Sequence, residues 1–449
     1  MRSRVTVRAL VIASVVGLVA TTCGGRSGNS SETSTTTSGT PVASGGGASS
    51  SNADPDTPCG PGDAKGATDQ GVTDTDITIS TIQDISGPRP GLFQGNKDAI
   101  DAFAAYCNSL GGVLGRKLKL NDLDSALFGH RDKTVEACGS AFAIVGQAAA
   151  LDSAGAQAGV DCHIPDIPAF TAEAPHAGAI NVVQPLPNPI NSLAVGMQRY
   201  LANKNPKKVK HAAMLFVDLS VTQVTARKRM EGYAKVGYHY DYQQSIAIAE
   251  LNWGPEIEAF RSRNIGVFDV VSDLTNLVGL EKALRTQNVI GAIGESDQSG
   301  YDQGFIDSAG PAGEGTYVIA TTVPFEEART SREMRLFLEW LHKTRADATP
   351  TALGVQGWSA GLLFATALKT LGSDVTRAKL MDALHTIHQW DGHGIHAPSD
   401  PGAGKASGCF AALRVKGGKF VREFPDKGFS CDPKNVTTLT GNYGKGAGR

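Results

Sequence analysis

The chain has 449 residues, 41% of them hydrophobic, with Lys+Arg 42 against Asp+Glu 44 and a formal net charge of -2. At roughly 100–200 residues per domain, this is length for two or three domains. The apolar content fits a globular protein and excludes a polytopic membrane protein, and the near-balanced charge argues against a nucleic-acid binder.

At the N-terminus, Arg2, Arg4 and Arg8 precede an apolar run from Ala9 to Ala20, and small polar residues follow. A basic start, a short apolar segment and a small-residue exit describe a signal peptide over 1–22. The run falls short of the ~20 residues that cross a bilayer as a helix. Cys23 then stands where the sequence resembles the lipobox of bacterial lipoproteins, which implies a lipidated cysteine. Thr22 and Ala20 depart from that pattern, and ordinary cleavage after Ala20 is the competing outcome. Without Cys23 the seven cysteines become six, an even set suited to disulfides in an exported chain. The expected location is the outer face of the cell membrane, held by lipid. Residues 23–58 are Ser, Thr, Gly and little else, a composition that predicts a disordered tether.

Beyond the tether, strands and helices alternate. Ile77–Ile82 reads as a strand, Phe93–Leu110 as an amphipathic helix, and Lys117–Asn121 as a second strand. A helix near 131–140, a buried strand at Phe142–Gly146, a helix near 152–160 and a short strand around Ile167–Phe170 follow. Gln184-Pro185-Leu186-Pro187-Asn188-Pro189 interrupts the pattern, and a helix runs on to about Asn203. Strands then recur at His211–Asp218, Tyr238–Ile246, Val267–Val271 and Asn288–Gly294, each with a helical stretch behind it. Such alternation predicts α/β architecture with two parallel sheets covered by helices. Helices near 328–346, 355–371 and 375–388 come next, then a hairpin over 408–424 around Lys416-Gly417-Gly418. The end of the chain reads as frayed.

Four features could carry chemistry. Gly357-Trp358-Ser359-Ala360-Gly361 matches the nucleophile elbow, with Asp391 and His393 or His396 downstream, but no strand precedes Ser359 and a packed helix is the better reading. Gly402-Ala403-Gly404-Lys405 lacks the hydroxyl residue and the earlier glycine of a phosphate loop, and reads as a polar turn. His385, His388, His393 and His396 have metal-like spacing, yet histidines at a helix end also complement its dipole, and no metal or cofactor is expected. The six remaining cysteines show no C-x-x-C spacing and leave many pairings open. Cys409 and Cys431 flank the hairpin, and Cys138 and Cys162 lie on consecutive helices. That leaves Cys59 with Cys107.

From Gly71 to Cys431 the chain resembles the extracytoplasmic substrate-binding proteins of ABC transporters, branched-chain amino acid (leucine-binding) type. The resemblance is carried by Gly71-Val72-Thr73-Asp74-Thr75-Asp76-Ile77, by Ser86-Gly87-Pro88, by Asn108–Lys117 with its N-x-x-GG-x-x-GR-K spacing, and by Phe142–Gly146. The lipoprotein start and Ser/Gly tether have an actinobacterial character. The resemblance implies two Rossmann-like lobes with a hinged cleft, the type I periplasmic-binding-protein fold. Lobe 1 would hold 71–187 and 324–390, lobe 2 would hold 188–323 and 391–432, and 433–449 would be a flexible tail. It implies a small polar metabolite as ligand, an ABC permease as partner, membrane contact through the lipid alone, no nucleic acid and no enzymatic activity. Ligands of such sheets bind at the carboxyl ends of strands. The ligand contacts then expected are Ser86, Gln147, Ala149, Phe170, Thr171, Glu173, Asp273, Asn276, Glu295 and Asp297. An exported serine hydrolase using Ser359, or a ligand sensor of the same fold without a transporter, are the alternatives. Loss of ester turnover in Ser359→Ala would mark the first, and absence of neighbouring permease and ATPase genes the second.

Overall fold

Ile77, Ile79 and Ile82 become the centre of the first sheet, each at most 1% exposed. The computed structural model describes residues 57–449, so the signal peptide, Cys23 and the tether up to residue 56 lie outside the described residues. The tether's last residues, Thr57 and Pro58, are packed rather than loose: Thr57 is buried, and its hydroxyl and carbonyl meet Tyr106 and Lys369.

In chain order the first sheet and its cover are β1 (Asp76–Gln83), α1 (Gln94–Ser109), β2 (Lys117–Asp124), α2 (His130–Ser140), β3 (Ala143–Val145), α3 (Ser153–Asp161), β4 (Asp166–Ile167) and α4 (Ala174–Ala177). All its strands are parallel, in the order β2-β1-β3-β4. The Asn108–Lys117 stretch is the turn from α1 into β2. Asn108 exchanges hydrogen bonds with Leu118, and a Cβ at Gly112 would sit 1.9 Å from the Arg116 carbonyl oxygen, so only glycine fits there.

A second group follows: β5 (Ser192–Ala194), α5 (Gly196–Lys204), β6 (Ala212–Val217), α6 (Ser220–Ala234), β7 (Tyr240–Ile246), α7 (Gly254–Ser262), β8 (Val267–Val271), α8 (Leu274–Thr286), β9 (Ile293–Ser296), α9 (Gln303–Ala309) and β10 (Tyr317–Ala320). The chain then returns to the first core with α10 (Arg332–Thr344), α11 (Ala352–Lys369) and α12 (Arg377–His385). It ends with β11 (Cys409–Lys416), β12 (Lys419–Phe424), β13 (Ser430–Cys431) and β14 (Val436–Thr438). The second sheet runs β12-β11-β10-β9-β8-β6-β7, parallel from β6 to β10 and antiparallel at β11 and β12. The sequence reading misses β10, and β9 starts five residues later than expected, after turns at Asn288 and Gly291.

α11 is buried on nearly every side, as befits a helix through the middle of a core. Its Gly357 and Gly361 lie against α1, and a Cβ at Gly361 would meet the Phe103 ring at 2.3 Å. The G-x-S-x-G spacing is therefore a helix-packing surface, one turn long. Three disulfides join Cys59 to Cys107, Cys138 to Cys162 and Cys409 to Cys431, the pairings read from the sequence. No helix among the described residues is long and apolar enough to cross a membrane.

Three segments cross between the two sheets, and they bind one another. Val323 N donates to Ile395 O at 2.8 Å and Ala397 N to Thr321 O at 2.7 Å. Ser399 Oγ donates to Pro185 O at 2.5 Å and to Trp390 O at 3.0 Å. The C-terminal residues, expected as a flexible tail from 433, pack instead: β14 pairs antiparallel with β5, and Ala447 is buried against Ala156, Val160 and Ala179.

Candidate functional site: the cleft between the lobes

Each sheet gathers loops at the carboxyl ends of its parallel strands, and the two sets meet at Arg89. This residue lies in the loop after β1. Its guanidinium forms an ion pair with Asp273 and donates to Thr275 Oγ1 at 2.9 Å, at the start of α8 on the second sheet. Asp273 also caps α8, accepting from Thr275 N at 3.1 Å.

On the first lobe, carboxylates tie the loops together. Asp84, fully buried, accepts from Leu127 N and Ala150 N, both at 2.8 Å, and from Ser125 Oγ at 2.6 Å. Partial burial opposes ionisation of Asp124, but the Ser86 hydroxyl and the amides of Ala126, Ile85 and Ser86 hold it below the usual carboxylate range. Asp152 accepts from Ala172 N at 2.7 Å and Glu173 N at 2.9 Å, and Glu173 Oε2 accepts from Ser153 N at 3.2 Å. So the amides of Ala150, Ala172 and Glu173, in the loops after β3 and β4, and of Ser153 at the start of α3 all serve carboxylates of the chain itself.

Behind these loops lies a buried charge network. His176, at the end of α4, has Nδ1 2.7 Å from Asp152 and Nε2 2.8 Å from Asp166. Burial alone would discharge it, but the two carboxylates outweigh that and raise it to about 10, so it is an imidazolium at neutral pH. Gln147 donates to Asp166 and accepts from His130 at 2.9 Å, whose imidazole burial and the His176 charge keep neutral.

The ten expected contacts separate on this geometry. Ser86 is exposed at the rim, Phe170 is half-buried with its ring 5.7 Å from that of Phe93, and Asp273 and Asp297 sit at the second lobe's strand ends. Gln147 turns inward to the network, and Thr171 is buried with its hydroxyl on Gln184 at 3.0 Å. Ala149 is 1% exposed and presents backbone at most. Glu173 faces α3. Asn276 is spent on the backbone of Ala247, Ile248 and Glu250. Glu295 is buried on β9, hydrogen-bonded by Tyr238 OH at 3.0 Å, and burial together with the Asp269 charge raises it to about 8. Arg89 and Phe93 escaped the sequence reading as site residues, although Arg89 directly follows Ser86-Gly87-Pro88 and Phe93 opens the helix read from the sequence.

The elbow residues form a different arrangement. Trp390 Nε1 donates to Ser359 Oγ at 2.9 Å, and Ser359 Oγ lies 2.8 Å from His396 Nε2. His396 Nδ1 is 2.7 Å from Ala397 O, which places its proton there and leaves Nε2 to accept from the serine. Burial lowers His396 to about 4, so the imidazole is neutral. Ser359 is 0% exposed in mid-helix, so no substrate reaches it. The pair pins a crossing segment to the first core. The other histidines diverge: His388 binds Asp400 at 2.9 Å, His385 lies 3.3 Å from Gly402 O, and His393 packs on Trp390. Among the described residues no three His, Cys, Asp or Glu groups assemble as a metal cage.

Several solved structures share this architecture. A fatty acid ABC transporter substrate-binding protein from Thermomonospora curvata has 16% identity and a TM-score of 0.70, over 84% of this chain and 97% of that one. The isoleucine complex of LivJ from Streptococcus pneumoniae has 13% identity and a TM-score of 0.66, over 78% and 100%. An R. palustris solute binding protein in complex with 4-hydroxybenzoate has 16% identity and a TM-score of 0.65, over 80% and 97%. Among curated protein sequences none matches. A family model described as periplasmic binding protein matches residues 76–419. With two α/β lobes, crossing segments between them and strand-end loops meeting at Arg89, the chain belongs to the periplasmic binding protein family and has its type I fold.

Proposed function

We propose that this chain is a receptor that captures a small polar metabolite between its lobes and delivers it to an ABC permease, while Cys23 holds it to the outer face of the cell membrane by lipid. Lobe 1 takes 71–187 and 324–390, and lobe 2 takes 188–323 and 391–432. A ligand touching both lobes stabilises their closure, which is what a permease can read. Binding rather than catalysis is favoured because Ser359 and His396 are sealed in the core. Lipidation is tested by fractionation: Cys23→Ser is expected to release the protein from membranes, and unchanged membrane association of that variant refutes the anchor.

One observation carries the ligand reading. The first-lobe amides of Ala150, Ser153, Ala172 and Glu173 are already bonded to Asp84, Glu173 and Asp152. A ligand carboxylate placed there would meet acids instead of donors, and an unpaired buried charge costs several kcal/mol. The half-buried ring of Phe170, backed by the buried Phe93, is the apolar surface left for the body of the ligand. Calorimetry with leucine, isoleucine and valine is therefore expected to show no binding in the low-micromolar range. Tight binding of any of the three overturns the reading. The ligand itself is accessible by a thermal-shift screen, since saturation at about 100 times Kd stabilises by about 2.7 kcal/mol.

A further inference from the structure

The last residues of the chain lie beyond the stretch matched by the family model, yet they touch both lobes. On the second lobe, Leu439 N donates to Asn191 O at 2.9 Å, continuing the β14–β5 ladder. Glu231 of α6 then takes four donors from the tail: Thr440 N at 2.6 Å, Thr440 Oγ1 at 3.0 Å, Gly441 N at 3.0 Å and Tyr443 OH at 2.6 Å. The very next residue belongs to the first lobe. A Cβ at Gly444 would lie 3.0 Å from the Ala174 Cβ, and one at Gly446 would meet Gly178 O at 1.8 Å. Ala447 N donates to Pro175 O at 2.8 Å, and Ile180 N donates to Ala447 O at 3.2 Å.

We propose that residues 440–449 are a strap that clasps the two lobes in the arrangement with Arg89 on Asp273, and that opening the cleft requires its release. The geometry leaves no slack. Tyr443 is bonded to α6 and Gly444 abuts α4, so any rotation separating α6 from α4 breaks one of the two docks. The first-lobe dock is the weaker, with two backbone hydrogen bonds and one buried alanine against the Glu231 cluster and a strand ladder. It is therefore the end that lets go. Its seat is α4, whose His176 holds Asp152 and, through it, the amides of Ala172 and Glu173 beside the cleft. The clasp thus rests on the same short element that positions a ligand-facing loop. It goes beyond the transport reading and needs no ligand identity.

The test is an interlobe distance in the full, ligand-free chain. Spin labels replace Val135 on α2 and Ile290 before β9, both exposed at 51% and 79%, as non-cysteine labels that leave the disulfides intact. Gly446→Val is expected to move the main distance peak longer and broaden it, and Tyr443→Phe to shift it in the same direction by less. Lys445→Ala, at an exposed position, is the control and leaves the peak in place. Amide exchange in the parent chain should show Ala447 and Ile180 protected, with both protections lost in Gly446→Val while β14 keeps its own. If Gly446→Val does not fold, Tyr443→Phe and the parent's exchange carry the test. Identical distance distributions in parent and variants, or Ala447 exchanging in the parent at the free-peptide rate, overturn the strap. Neither result touches the transport reading, which stands or falls on ligand binding.

Discussion

Replacing Asp152 by alanine is expected to cost about 3–5 kcal/mol of stability, the penalty for leaving a buried charge without its partner. Asp152 is fully buried and 2.7 Å from His176, whose other ring nitrogen faces Asp166. Without Asp152 the imidazolium keeps one carboxylate, and the amides of Ala172 and Glu173 lose their acceptor. The pH dependence gives the effect a signature. His176 titrates at about 10 in the folded chain against 6.5 as the ordinary value, so its stabilisation is complete below pH 6.5 and is lost as pH rises through about 10. In Asp152→Ala the folded value falls, and the decline in stability between those limits flattens. Urea unfolding from pH 6 to 10 measures both. Asp152→Asn keeps an acceptor for one amide, so it should lose less stability and show the same flattening. A parent-like pH slope in Asp152→Ala would contradict the ionic account of this network.

The network also shows where sequence reading stops. Strands β1, β3, β6 and β8 are legible because each is a short run of β-branched or other apolar residues, buried on both faces in a parallel sheet. β10 is four residues between Gly315 and a Thr pair, too short a run to stand out. β9 is read with its start misplaced, because Val289 and Ile290 extend its apolar run back into the turns at Asn288 and Gly291. The β14–β5 ladder joins the tail to residues far back in the chain, which no local pattern announces, so a Gly-rich end looks loose when it is bonded. At the cleft, strand ends locate the loops but not the aim of each side chain. Gln147 points inward because His130 and Asp166 wait for it, and Asn276 because three backbone groups do. Ser86 and Asp273 stay at the rim, where the topology alone would put them.

Arg229→Met is expected to lose a further about 3–5 kcal/mol, for the same reason in the other lobe. The guanidinium of Arg229 spans both oxygens of Asp269, at 3.0 and 2.9 Å, and reaches Asp297. Asp269 is 2% exposed and paired in register with Glu295, so removing the cation strands one carboxylate beside another acid. Asp297, with its side chain 39% exposed, is screened by water and adds little to the cost. Burial already raises Asp269 against the pull of Arg229, and without that pull it rises further. A carboxyl group with a raised folded value stabilises most when protonated, and that contribution fades as pH climbs through the folded value. The deficit of Arg229→Met should therefore be smaller at pH 5 than at pH 8. Glu295, raised to about 8, adds a slope of the same sign to the parent, which Glu295→Gln should remove. Combining Arg229→Met with Asp269→Leu exchanges the buried ion pair for apolar contact and should recover most of the loss. If the double variant is as unstable as Arg229→Met alone, the cost lies in lost packing of the arginine stem and not in a stranded charge.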